Sequence, residues 1–198
     1  MTTVVQLKPQ PEIADGRRRR GMDNRARIVA AMIEMVRADE IAPSAERVAA
    51  RADVGLRTVF RHFQDMDSLY REMSLVIEGE IRAIVDQPLQ TPAGPERVVE
   101  LIDRRARCFE TIAPFRRAAE AFRHRSKFLG SDYARLVVQL RAILERELPA
   151  EVSRDPLKLE ALDLLLSYEA WARLRREQGL TIARAQAVLE AASRRIIG

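Results

Sequence analysis

The stretch from Ser44 to Leu69, SAERVAARADVGLRTVFRHFQDMDSL, constrains the chain more than any other. Ser44 is a good N-cap, because its hydroxyl accepts a bond from a free N–H of the first helical turn. Ala45, Val48, Ala49 and Ala52 then recur at helical spacing. Asp53-Val54-Gly55 reads as a turn, since Asp tolerates left-handed backbone and Gly55 adopts almost any conformation. A second helix is expected from about Leu56 to His62, with Val59 and Phe63 inward and Arg57, Thr58 and Arg61 outward. Two short helices, a tight turn and a basic outer face make the helix-turn-helix pattern. A B-DNA major groove, roughly 12 Å wide, admits one such helix. Arg57 and Arg61 can pair with guanine edges or neutralise phosphates. Thr58 can bond a base edge or touch a thymine methyl group. The same pattern also serves as a solvated helix face in proteins that never meet DNA.

The run VGLRTVFRHFQDMDSLYREM resembles the helix-turn-helix signature of the TetR family of bacterial transcriptional repressors, through Val54, Thr58, Val59, Phe60, Arg61, His62, Phe63 and Leu69. Upstream, Ile28 to Ala31 and Val48-Ala49 fall where that family has its first- and second-helix core. The likeness covers about Asn24 to Ile84; beyond it, only length and an all-helical pattern agree. It implies a DNA-facing set of Arg25, Arg27, Ser44, Arg47, Arg57, Thr58, Phe60, Arg61 and His62, with Arg25, Arg27 and His62 near the phosphate backbone. Three positions depart from the family pattern: Gly55 stands for a capping Ser, Phe60 for a phosphate-binding Tyr, and Met66 for a phosphate-binding Lys. Gly is nearly as good a cap as Thr, so the helix should survive. The other two changes remove polar contacts to the DNA backbone.

Charge agrees with a polyanionic partner at one end. Residues 1–64 hold 12 Lys/Arg and 8 Asp/Glu, a balance of +4 within a chain total of +5. Lys8, Lys127 and Lys158 are the only lysines, an arginine bias that a GC-rich genome explains equally well. Cys108 is the single cysteine, which excludes an internal disulfide framework and a cysteine metal cluster and fits a cytoplasmic protein. No apolar run approaches the ~20 residues of a membrane span, and the N-terminal residues lack the hydrophobic stretch expected of a secretion signal.

Taken in order, residues 1–22 read as a disordered basic arm ending in Arg17 to Arg20, able to lie along DNA or to remain a solvated tail. Residues 23–66 form the DNA-binding domain, with the helix-turn-helix at about 45–63. Its first helix starts near Asp23 or Asn24 and turns Ile28, Met32, Met35 and Val36 inward. Residues 67–198 form a regulatory and dimerisation domain. Asp65 caps a fourth helix whose buried face is Leu69, Met73, Val76, Ile77, Ile84 and Val85. Pro88, Pro92, Gly94 and Pro95 mark the clearest linker. Five helices should follow, with a break at Ala113-Pro114, Ser131 as a cap, one long helix from Asp155-Pro156 to about Glu177, and Thr181 capping the last. The expected fold is therefore all-α, with about nine helices.

Leucines surround the long helix on nearly every side, and such a helix must be covered on more than one side. A second copy of the chain is the expected outer cover, through Leu162, Leu166, Trp171, Ile182, Leu189 and Ile196. By resemblance, the last two helices pair with their symmetry mates, and the dimer reads a near-palindromic operator in double-stranded DNA. The resemblance also implies a small-molecule effector whose binding releases DNA. Phe109, Phe115, Phe122, Tyr168 and Trp171, with Phe128, are pocket candidates, and core packing explains each of them as well. Arg104, Arg105, Arg123 and His124 read as surface charge, with an acidic effector as the other use. Cys108 reads as a small buried hydrophobe, and no metal or cofactor site is expected. The leading expectation is a DNA-binding repressor and not an enzyme. A helical adaptor and a small helical enzyme are the alternatives, the enzyme lacking any catalytic or phosphate-cradling motif.

Overall fold

The computed structural model describes the backbone of residues 12–122 and 129–198, and the side chains of residues 21–121 and 133–198. Over these residues all the regular structure is helical. The helices are α1 (Glu12–Arg37), α2 (Ala45–Arg51), α3 (Leu56–His62), α4 (Met66–Val85), α5 (Arg97–Phe122), α6 (Leu129–Glu147), α7 (Ala150–Ser153), α8 (Pro156–Leu165), α9 (Tyr168–Ala172) and α10 (Ile182–Ile197). A π-helical turn, Arg173–Glu177, follows α9 directly. The chain divides into two units, Met1–Met73 and Ser74–Gly198, with the division inside α4.

In the first unit, α1, α2 and α3 pack on one another. Ile28, Met32 and Val36 of α1, Val48 and Ala49 of α2, Val59 of α3, Phe63, and Leu69, Tyr70 and Met73 of α4 are buried. Fully burying a side chain of this size stabilises by about 1.5–3 kcal/mol. Helix α1 begins at Glu12, earlier than the expected Asp23 or Asn24, so part of the expected disordered arm is helical. Residues 1–11 and the side chains of Arg17 to Arg20 lie outside the described residues.

In the second unit, α5 lies against α6, α9 and α10, and α8 against α10. Trp171, Phe109, Leu101, Leu144, Leu162 and Leu166 are its largest enclosed side chains. Two expectations about helix continuity are corrected. Helix α5 runs through Pro114 without the expected break. A proline inside a helix removes a backbone bond and costs ~3 kcal/mol. Burial of Ile112, Phe115 and Ala118 on both sides of it offsets that cost. The expected single helix to Glu177 is instead interrupted at Leu166-Ser167. Ser167 caps α9 by accepting the Ala170 N–H. The Arg105 guanidinium donates to the Leu166 carbonyl at 2.7 Å, supplying a partner where α8 stops. The short helix α7 was not expected, and α6 starts before Ser131, whose side chain lies outside the described residues. On α4, Leu69, Met73 and Ile77 are buried as expected, whereas Val76 is exposed and Ile81 takes a core place.

Four of the expected caps are present. Ser44, Asp155 and Thr181 accept first-turn N–H groups of α2, α8 and α10. The Asp65 carboxylate accepts the Ser68 N–H at 2.8 Å at the head of α4.

Candidate nucleic-acid interface

Helix α3 is held by a closed turn on one side and a core contact beneath. Helix α2 ends with the Asp53 N–H bonded to the Ala50 carbonyl and the Val54 N–H to the Ala49 carbonyl. Asp53 has φ of 51°, the left-handed residue that this termination needs. Gly55, expected to share that duty, is extended at φ −70° and serves as the N-cap of α3 without a side-chain bond. Val59 is buried below, and Phe63 closes the helix by returning its N–H to the Val59 carbonyl.

With Val59 inward, the opposite face of α3 points to solvent. Arg57 and Arg61 lie one turn apart and are both exposed. Among the described residues neither makes an ion pair or a hydrogen bond. Beside this basic row runs a second exposed row, Leu56 and Phe60, 38% and 49% accessible. Thr58 and His62 are half-buried at the other margin. The His62 ring Nε2 is buried without a partner. Burial, then the charges of Arg61 and Arg25, holds its pKa below the ordinary histidine range. Near neutral pH the ring is therefore uncharged.

The other expected DNA-facing residues are engaged within the protein. Arg25 donates to the His62 carbonyl at 2.9 Å, pairs with Glu72 at 2.6 Å and lies 4.6 Å from the Phe63 ring centre. It ties α1 to the end of α3 and to α4. Arg27 reaches the Asp53 carbonyl and carboxylate at 3.2 Å, bracing the turn. Ser44 is occupied as the cap of α2, and Arg47 pairs with Glu40 at 2.9 Å. The structure thus brings Arg57, Thr58, Phe60, Arg61 and His62 together on α3, with Arg25 and Arg27 bracing its end and the turn before it, while Ser44 and Arg47 serve α2 and the loop that precedes it.

Of the expected effector residues, Phe109 and Tyr168 pack on each other in the second unit, together with Tyr133. The Phe109 and Tyr168 rings meet edge to face at 5.7 Å, and Tyr133 meets Tyr168 at 6.4 Å. The Arg116 guanidinium lies 3.5 Å from the Tyr133 ring centre. Trp171 donates its indole N–H to Glu110 at 2.9 Å, and Phe115 is buried. The side chains of Phe122, Arg123, His124 and Phe128 lie outside the described residues. Burial pushes the Cys108 thiol up to about 11, which keeps it protonated near neutral pH. Arg104 and Arg105 are not surface charge: both are buried. Arg105 donates to the Leu166 and Leu140 carbonyls at 2.7 Å each, and Arg104 to the Val85 carbonyl at 3.0 Å.

Of the residues expected to meet a second copy, Leu162, Leu166, Trp171 and Leu189 are enclosed by their own chain. Ile196 is half-buried and Ile182 exposed. Besides Ile182, the apolar surface these helices leave open is Leu157 and Leu164 of α8, 83% and 74% accessible, and Val188 of α10. Sequence reasoning noticed both leucines but not which way they face, because leucines surround α8 at every angle.

Among the described residues, no group of three or more His, Cys, Asp or Glu side chains is placed to hold a metal ion. No described helix is long and apolar enough to cross a membrane. Compared with protein-family models, curated proteins and solved structures, the chain matches none.

Proposed function

We propose that the protein is a sequence-specific DNA-binding transcriptional regulator that reads a major groove with α3. The observation that carries this reading is the pair Arg57 and Arg61, exposed and unpaired on a short helix whose other side is locked by Val59, Arg25 and Arg27. A free guanidinium costs nothing to strip of internal partners, and its fork matches the acceptor pair of a guanine. Rigid support beneath it limits the ordering cost on binding.

The proposal extends to a homodimer. Leu157 and Leu164 are one helical face of α8, and Val188 and Ala191 lie on one face of α10 bordered by Arg184 and Arg195. Pairing that surface with its symmetry copy gives an operator with two-fold symmetry. The resemblance to TetR repressors adds the remaining part, a repressor released from its operator by a small molecule held in the second unit.

The test is selection of DNA fragments by the purified full-length protein, followed by gel shift. Arg57→Ala combined with Thr58→Ala should abolish selective binding and leave the thermal midpoint and the oligomeric state unchanged. Undiminished binding by that variant rules out α3 as the reading element. No binding even at low salt, where phosphate contacts are strongest, favours an adaptor that packs on protein.

A further inference from the structure

The proposed interface has two chemistries. The basic row of Arg57 and Arg61 accounts for guanine and phosphate. It does not account for Leu56 and Phe60, which lie open on the adjacent strip of the same seven-residue helix. Leu56 opens the helix and Phe60 follows one turn later, so the two form a continuous apolar stripe. Phe60 has no hydroxyl, so it can make no hydrogen bond to a phosphate. Neither side chain is buried in the core, where Val59 fills the inward position of α3.

We infer that Leu56 and Phe60 read thymine methyl groups. The inference rests on the DNA-binding reading of α3 and specifies what that helix selects. The major groove presents one apolar group, the C5-methyl of thymine, and apolar side chains recognise it by contact. The positive charge of Arg57 and Arg61 along the stripe's edge fixes the partner's character. A protein partner that buried the stripe would also have to cover two cations, whereas DNA supplies anions and methyl groups on one surface. Each half-site therefore holds at least one thymine next to the base pair read by arginine, and the methyl of that thymine contributes affinity.

The experiment replaces single thymines with deoxyuridine in the DNA fragment that the full-length protein selects. Uracil pairs like thymine and differs in the major groove only by the missing methyl. Loss of one buried methyl corresponds to about a fourfold loss of affinity. Wild-type protein should show that loss at one or two positions per half-site. Phe60→Ala should bind the unmodified fragment more weakly and become indifferent to uracil at one of those positions; Leu56→Ala should do the same at another. Both residues are exposed, so folding is expected to persist, and the uracil measurement on wild-type protein needs no variant. Selective binding with no uracil effect anywhere overturns the methyl inference and leaves the DNA-binding reading standing. Absence of selective binding overturns that reading and the inference with it. If Phe60→Ala leaves DNA affinity unchanged but shifts the sedimentation of the free protein, a second copy occupies the stripe and the inference fails.

Discussion

Arginines on α3 and α5 have the same chemistry and opposite fates. Arg57 and Arg61 stand in solvent with no internal partner among the described residues. Arg104 and Arg105 are buried and give their N–H groups to main-chain carbonyls: Val85 from the former, Leu140 and Leu166 from the latter. Burial pulls the Arg105 pKa down to about 10, still well above neutral, so it is a buried cation. Desolvation of such a group is costly and is tolerated only where geometry is good. On α5 that cost is already met on folding, and the charge knits helices together. On α3, where Arg57 and Arg61 stand in solvent, that cost is not incurred on folding. Sequence position says nothing about which fate an arginine has; the direction its helix face takes decides it.

The sharpest way to break this contrast is to remove one charge from each place. Arg105→Met takes the arginine donor from the Leu166 carbonyl, at about 1–3 kcal/mol, and from the Leu140 carbonyl a second bond beyond its helical one, at about 0.5–1.5 kcal/mol. A loss of roughly 1.5–4.5 kcal/mol in urea unfolding is expected. Arg57→Met should stay within about 0.5 kcal/mol of wild type, as an exposed substitution does. Equal effects of the two would show that the buried arginine is not structural.

A smaller effect separates the supports of α3 from its open face. Arg25→Met removes a half-exposed ion pair and the donor to the His62 carbonyl, so about 1 kcal/mol of stability should go. If α3 reads DNA as proposed, affinity should fall less than in Arg57→Ala, because Arg25 is engaged with the His62 carbonyl and Glu72. A fall as deep as that of Arg57→Ala would place Arg25 in the interface.

The smallest expected effect is with pH. The folded pKa of His62 lies below its unfolded value, near 6.5. Its neutral form is thus favoured on folding, and the associated stability is present above the unfolded pKa and lost as pH falls through the folded one. Wild type should lose slightly more stability than His62→Gln between pH 6.5 and that lower value. Parallel pH curves for the two would remove His62 from consideration.

What was legible in the sequence followed the range of the interaction. Ser44, Asp65, Asp155 and Thr181 could be named as caps because a cap bonds groups only two or three residues away. The α2–α3 turn was legible for the same reason, although Asp53 and not Gly55 takes the left-handed backbone. The exposed row on α3 followed from periodicity once Val59 was set inward. Continuity of α5 through Pro114 was not legible, since it depends on packing by remote helices. Neither was the break after Leu165, which lies within a run of leucines and is held by Arg105 from another helix. Leu157 and Leu164 could not be singled out from Leu159 and Leu162 without knowing where α10 lies.

Pro114 has one further consequence. Lacking an N–H, it cannot close the helix onto the residue four before it, Glu110. The Glu110 side chain is also what grips α9 and the turn after it, through Trp171 and Arg175. The slackest joint in the longest rod of the second unit therefore coincides with its handle on the C-terminal segment. Any flexing of α5 at that joint is levered directly into Trp171.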